Sequence, residues 1–469
     1  MGKNVLLGNG INIQFGGFAY SSDFILKRIK YNSRLGKYDR LFNNKITGKE
    51  IENVFKGFVD IANAIIENKY ECLTDDQDIL DAIMDFKNRY PAKVTQPHEI
   101  MLEDWLLLVK VFFLVNEDLM SQKINAVQGF EQLLLDAIFN DGEIQKIHQR
   151  MNRETKKFFK GYDKIFTLNY DDNIELLTGK SVFHLHGDFS VLHNSENENT
   201  VQGYIRTHEG TTVWFPEMAH CYCNALLNYS GRLKYKTAED NHKAIIESEK
   251  FPEMLKKDPD FVEKVAKNNP EIGKMIRIKL EHPELQMATE YYFYELENAE
   301  GELDIIGMSP NNDAHIFDVI LNNDKLRKIT FYYFSEKERI FIEDNFSGDR
   351  FACRSVNDLW KTLNCAKKIY FCNYNVPDAG KDIIKALNIL ADDEIGFEDI
   401  KKKINQIPQF EMNRLSKIVE DGLNKVNPNH QSLNEQEFEK ENALICHIAL
   451  QEGIHPSVLY LICVMSRGK

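Results

Sequence analysis

Apolar and polar positions follow two different periods along the chain. Residues 4–7, Asn-Val-Leu-Leu, form a short apolar run that stops at Gly8-Asn9-Gly10, the pattern of a strand buried on both faces and closed by a turn. From about residue 46 to 160 the period is helical. Thr47 with Glu50, Thr74 with Gln77 and, much later, Ser432 with Glu435 have capping-box spacing, and Ile46 and Ile51 flank the first box as a hydrophobic staple. "EDWLLLVKVFFLVNEDL" and "GFEQLLLDAIF" carry the helical region to about Phe159. Three short apolar runs come next: "KIFTLN" from Lys164, "SVFHLHG" from Ser181 and "LDIIGMS" from Leu303. Each ends in a turn residue and is predicted as a strand. The stretch from about Ser190 to Glu300 is polar and helix-leaning, with Asp258-Pro259 as an expected helix start, and is predicted to be an insertion. "KITFYYFSEKERIFIEDNF" predicts strand then helix, "KKIYFC" (367–372) one more strand, and the sequence from about Asp378 helices. "HNSENENT" (193–200) has the composition of a mobile loop.

Strands separated by helices predict an α/β fold with a Rossmann-like, mainly parallel sheet, large helical insertions and a helical C-terminal region. The expected division is one domain over 1–375, holding the helical segment of about 46–160 and the insertion of about 190–300, and a helical domain over 376–469. The 469 residues carry 58 Lys and Arg against 72 Asp and Glu, a formal charge of −14. That balance argues against nucleic-acid backbones and anionic membrane surfaces as partners. The eight cysteines are scattered and the N-terminus lacks signal-peptide character, which predicts free thiols and a cytoplasmic location. "WLLLVKVFFLV" from Trp105 is too short to cross a bilayer and carries Lys110, so it is expected to be a buried helix.

The residues immediately after each predicted strand are chemically distinctive. The clusters are Gly8-Asn9-Gly10-Ile11-Asn12, then Thr167-Leu168-Asn169-Tyr170-Asp171, then His186-Gly187-Asp188, then Gly307-Met308-Ser309 with Asn311, Asn312 and Asp313. In a parallel sheet all four meet at the carboxyl edge, where α/β proteins bind ligands. Glycines there let backbone N–H groups approach a pyrophosphate, so a nucleotide fits. The common dinucleotide fingerprint is absent, because Ile13 stands where its third glycine belongs.

"GNGINIQFGGFAYSSDF", "FTLNYDDNIE", "VFHLHGDF" and "IIGMSPNND", in this order, resemble the sirtuin-like fold, and in particular the abortive-infection AbiH branch. "FYYFSEKERI" is also similar to that branch, and the likeness extends to about residue 345 without the helical stretches. Asn12 stands where the branch usually has Asp, Phe15 where it often has His, and Gly17-Phe18-Ala19 where Leu-Pro-Thr is common. Deacylating sirtuins hold a structural zinc on two Cys-x-x-Cys pairs; no such pair occurs here. The resemblance therefore implies an NAD+ glycohydrolase, an antiphage effector kept inactive until triggered, with NAD+ as substrate and no metal expected. It implies Asn169 and His186 as essential catalytic residues, with Asp171 and the Gly8 loop on the nucleotide. Gly8, Asn9, Gly10, Asn12, Asp23, Thr167, Gly307, Ser309 and Asp313 form the expected binding set, Ser309 and Asp313 on the adenosine side. A homo-oligomer and a protein trigger are the expected partners, with the insertion and the C-terminal helices as the sensing elements.

The chemistry of NAD+ cleavage suits these residue types. Nicotinamide leaves as a neutral molecule, so no general acid is needed; the site must stabilise an oxocarbenium-like transition state, hold the ribose and deliver a water. An Asn both donates and accepts, which suits Asn169 to ribose and water. An imidazole suits His186 to the base role, and the Asp171 carboxylate suits either the developing positive charge or the orienting of Asn169. The competing readings are a non-catalytic NAD+ or ADP-ribose sensor, a protein deacylase, and a metallohydrolase built on His184-x-His186-x-Asp188, in which Phe189 occupies the place of the motif's last histidine. "HCYC" (220–223) is a further metal candidate, set against plain buried packing.

Overall fold

The computed structural model describes residues 2–69, 77–116, 123–190, 200–201, 204–205, 215–227, 231–310, 313–346, 348–365, 379–426 and 435–467. The chain opens with β1 (Lys3–Leu7), α1 (Gly10–Gly16) and α2 (Ser22–Arg34). A helical stretch comes after them: α3 (Gly48–Ile66), α4 (Gln77–Arg89), α5 (Leu102–Val115), α6 (Lys123–Phe139) and α7 (Arg153–Lys160). Next come β2 (Lys164–Thr167), α8 (Asn173–Thr178) and β3 (Phe183–His184). The insertion holds the hairpin β4 (Thr200–Val201) and β5 (Tyr204–Ile205), then α9 (Arg232–Ser248), α10 (Phe251–Lys257), α11 (Phe261–Asn268), α12 (Pro270–Glu281) and α13 (Phe293–Glu297). The sheet resumes with β6 (Gly301–Ile306), α14 (Ala314–Asn322), β7 (Leu326–Tyr333), α15 (Glu336–Asn345), β8 (Phe351–Ser355) and α16 (Val356–Thr362). The last helices are α17 (Ala379–Ala391), α18 (Phe397–Asn405), α19 (Gln409–Val426), α20 (Glu435–Glu452) and α21 (Pro456–Arg467).

Six strands form one wholly parallel sheet in the order β3-β2-β1-β6-β7-β8. Counting only these six in chain order, the arrangement is 3-2-1-4-5-6, the doubly wound Rossmann-like order, whose switch point lies between β1 and β6. Both faces are covered, which is why the central strands are almost continuously apolar. In β1, Val5 and Leu7 enter one core and Leu6 the other; in β2, Ile165 and Phe166 divide the same way. Register places the strand ends level: Leu7 pairs with Thr167 on one side and Ile306 on the other, and Thr167 pairs with His184.

The capping box at Thr47 and Glu50 is present, with Ile51 buried and Ile46 packed against the same core. α5 is buried around Trp105, and the α4–α5 contact holds a desolvated ion pair, the Arg89 guanidinium donating to both oxygens of the fully buried Asp104 at 2.6 and 2.7 Å. One expectation is corrected, and two strands differ in extent or place from the reading of the sequence. Asp258-Pro259 does not start a helix: α10 ends at Lys257, Pro259 lies in a turn, and Asp260 is the N-cap of α11. The sheet's sixth strand is Phe351–Ser355, half exposed at the edge. β3 is only two residues long. The expected strand at 367–372, the loop residues 193–199, the cap residues Thr74 and Ser432, Asn311 and Asn312, and the 375/376 boundary lie outside the described residues.

The C-terminal helices build a core of their own, which also takes in Tyr31 and Phe24 of α2. They are pinned to the start of the chain by Arg28, a buried cation with no carboxylate partner among the described residues. Its guanidinium donates to the carbonyls of Ala137, Ala19 and Leu450. Beside it, Gly453 at φ +67° packs so closely that a Cβ there would lie 1.9 Å from the Ala19 nitrogen. The six cysteines among the described residues are free thiols. No single helix among the described residues is long and apolar enough to cross a membrane.

Candidate functional site

The turn after β1 packs backbone on backbone against the turn after β6. The Gly8 N–H donates to the Ile306 carbonyl at 3.0 Å and the Gly10 N–H to the Gly307 carbonyl at 2.7 Å. A Cβ on Gly8 would lie 2.5 Å from the Gly307 oxygen, and one on Gly10 2.5 Å from the Gly307 Cα. Gly307 itself sits at φ +72°, a conformation that favours glycine. These three glycines are therefore required by the chain's own close approach, and the Gly10 N–H expected to face a phosphate is engaged by protein. Asn9 is exposed, with its amide donating to the Tyr20 carbonyl at 2.8 Å.

Asn12, on α1, is buried and donates from Nδ2 to Asp171 Oδ2 at 2.6 Å. The other carboxylate oxygen of Asp171 accepts from the Asn173 side chain and, at 3.2 Å, from its backbone N–H. Burial raises the Asp171 carboxyl above its ordinary value, against the lowering effect of these bonds. Thr167 closes β2 with its hydroxyl accepting the Asn169 backbone N–H at 3.1 Å, which turns the chain so that the Asn169 amide donates to the Gly8 carbonyl at 3.3 Å. Asn12, Asn169 and Asp171 thus line one wall over the ends of β1 and β2.

The second wall carries the histidines. His184 and His186 have different partners. His184 Nδ1 contacts the Asn169 carbonyl at 2.9 Å and its Nε2 the Glu175 carboxylate at 2.7 Å. Burial works against a charge on His184, but Glu175 overrides it and lifts the ring to about 9. His186 meets His315 of α14, Nε2 to Nε2, at 3.3 Å. Because β2 and β1 lie between β3 and β6 in the sheet, this contact crosses the ends of both. The Lys234 ammonium of α9 donates to His186 Nδ1 at 3.4 Å and to Glu103 at 3.3 Å. Burial, then the Lys234 charge, then His315 hold His186 well below its usual value. Burial and Lys234 do the same to His315. Asp313 completes the group, its carboxyl pushed up to about 7 by burial against the pull of Lys234.

Three buried polar atoms at this edge have no hydrogen-bond partner among the described residues: Asn12 Oδ1, Tyr170 Oη and His315 Nδ1. Orphaned groups of this kind mark a place that a polar ligand or water completes. His315 also lines a cavity of about 500 Å³ with Arg232, Tyr235, Glu297, Asp318 and Val319.

Other expected residues lie apart. Asp23 pairs with Lys27, which bridges to Asp393 of the C-terminal helices. Ser309 is half-buried in the turn after Gly307. Asp188 does not join a metal triad with His184 and His186; its carboxylate accepts the Ser190 N–H at 2.8 Å. At "HCYC", His220 bonds Asp136 at 3.0 Å and stacks on Phe139, while Cys221 donates to the Gln132 carbonyl. Sequence reasoning missed His315, Lys234, Glu103 and Asn173. His315 had a usable signal, an Asp-x-His at the head of the helix after β6; Lys234 and Glu103 sit in helices far from any strand end. Comparison of the chain with protein-family models, with curated proteins and with solved structures finds no match.

Proposed function

We propose that this chain is an NAD+ glycohydrolase, cleaving NAD+ to nicotinamide and ADP-ribose. The observation that carries the reading is the convergence of four loops at the switch point of a doubly wound sheet, with the Asn169 amide and the His186 imidazole on adjoining strand ends. Dinucleotides bind at this position in folds of this order. The orphaned Asn12 Oδ1 and Tyr170 Oη offer polar contacts to a sugar or an amide. In the proposed reaction Asn169 orients the ribose and the attacking water. Asp171, held by Asn12 and Asn173, lies beneath the sugar and favours the charge that develops there. His186 is kept neutral in this surrounding and is a weak base by itself, so the water's proton passes into the cluster of His186, Asp313 and His315.

Free NAD+ hydrolysis would deplete the producing cell, so the activity is gated, as in an abortive-infection effector, by a trigger or by self-association. The C-terminal helices, packed on the Phe18–Tyr20 segment beside the Gly8 turn, are the element through which gating would act. Incubation of the purified chain with NAD+ at several protein concentrations should release nicotinamide, read by chromatography and mass spectrometry. Asn169→Ala and His186→Ala should each abolish release, and activity surviving in both overturns the reading. Tight NAD+ binding without turnover would make the same site a sensor.

A further inference from the structure

Two imidazoles and a carboxylate are brought together at the sheet edge from different parts of the chain. His186 comes from the loop after β3, Asp313 and His315 from the head of α14, and one ligand atom of each lies within 4.8 Å of the others. We propose that His186, Asp313 and His315 bind one divalent first-row transition metal ion. The inference stands on this geometry and goes beyond the reading of the substrate; with an ion bound, His186 and His315 are ligands and no longer proton acceptors, so metal-loaded and metal-free chains are distinct states of the site.

The spacing fits. Zinc holds imidazole nitrogens at about 2.0–2.1 Å, and two such nitrogens on a tetrahedral ion lie about 3.3 Å apart; the two Nε2 atoms are 3.3 Å apart. Asp313 is the N-cap of α14, yet its carboxylate makes no capping bond, so it is not committed to the helix as cap carboxylates usually are. Both rings are almost fully buried. Two nitrogens and one oxygen select zinc, iron(II), cobalt(II) or manganese(II) over calcium and magnesium, which take oxygen ligands, and three protein ligands leave positions open for water or substrate.

Lys234 opposes the ion. A metal on His186 Nε2 requires the proton to sit on Nδ1, where the Lys234 ammonium now donates, so Lys234 must turn onto Glu103, already 3.3 Å from it. Removing that ammonium should therefore strengthen binding, an effect that a misfolded variant cannot imitate. Without a metal, the Nε2 contact is a hydrogen bond between two neutral rings, and measurement separates the two states.

The full chain is stripped with a chelator, reloaded with cobalt(II) or zinc(II), and followed by elemental analysis and by cobalt ligand-field absorption. One equivalent is expected in the wild type. Asp313→Asn and His315→Gln should each weaken uptake about 100-fold, with unchanged circular dichroism, and Lys234→Met should tighten it about tenfold. His220→Gln, in the separate Asp136, His220 and Cys221 cluster, should leave it unchanged. No stoichiometric uptake in the wild type overturns the proposal, as does uptake that survives both Asp313→Asn and His315→Gln or that disappears in His220→Gln. Nicotinamide release is not a readout, so this result is independent of the hydrolase reading.

Discussion

Replacing Gly10 by alanine tests what the Gly-x-Gly turn is for. The added methyl would sit 2.5 Å from the Gly307 Cα and 2.9 Å from its oxygen, whereas carbon atoms in contact lie about 3.5–4.0 Å apart. The two turns must therefore separate by about 1 Å. They are tied together by the 2.7 Å bond from the Gly10 N–H to the Gly307 carbonyl and the 3.0 Å bond from Gly8 to Ile306, at the end of the central β1–β6 pair. Overpacking of this kind costs about 1–3 kcal/mol, and loss of one backbone bond a further 0.5–1.5 kcal/mol. The expected penalty is about 2–4 kcal/mol, on the order of 2–4 °C in the melting temperature of a chain of 469 residues. The assay is thermal unfolding of the ligand-free protein by circular dichroism, with Gly57→Ala as control, since a Cβ there meets nothing within 4 Å. A Gly10→Ala protein that melts with the wild type but no longer binds nucleotide would show that the glycines serve a ligand rather than the fold.

Three further outcomes are expected. Asn169→Ala removes a single 3.3 Å side-chain bond among the described residues, to the Gly8 carbonyl, so it should cost at most about 1 kcal/mol in stability while ending turnover; a melting temperature lowered as far as that of Gly10→Ala would assign Asn169 to structure. Arg89→Met leaves the buried Asp104 carboxylate unpaired and should destabilise the α4–α5 region by about 3–5 kcal/mol, seen in urea unfolding or as insoluble expression, and a wild-type midpoint would contradict it. His184 is raised from 6.5 to about 9 in the folded chain, so its contribution of about 3 kcal/mol is fully present below pH 6.5 and lost as pH rises through 9. Melting temperatures between pH 6 and 9.5, taken with chelator present, should fall in the wild type and stay flatter in Glu175→Gln; parallel curves would remove Glu175 as the cause.

The parts of the fold legible in the sequence are those that bury apolar surface on both sides. β1, β2, β6 and β7 announced themselves as short apolar runs ending in turn residues, and α5 as an apolar helix of the right length. β8 did not, because Phe-Ala-Cys-Arg-Ser at a half-exposed edge carries neither alternation nor an apolar run. At the site, strand ends revealed Asn169, Asp171 and His186, since a turn residue after a strand in a parallel sheet has one place to go. The partners of these residues were hidden. His186 and His315 are 129 residues apart, and only the sheet order joins them. Lys234 belongs to a helix with a strongly polar sequence, yet is buried, and periodicity assigns such a residue to the solvent side. The Gly8 and Gly10 positions were visible but their physical reason was not, because close approach of two turns leaves no mark in either one alone.

The Arg28 contact has a consequence for biosynthesis. Its guanidinium takes carbonyls from residues 19, 137 and 450, so the cation stays without its full set of acceptors until residue 450 has left the ribosome. Domains emerging in order usually settle as they appear; here the Ala19 segment is tied through Arg28 to a carbonyl 422 residues further along the chain. A chain that stalls before residue 450 leaves this buried cation with two of its three carbonyl acceptors.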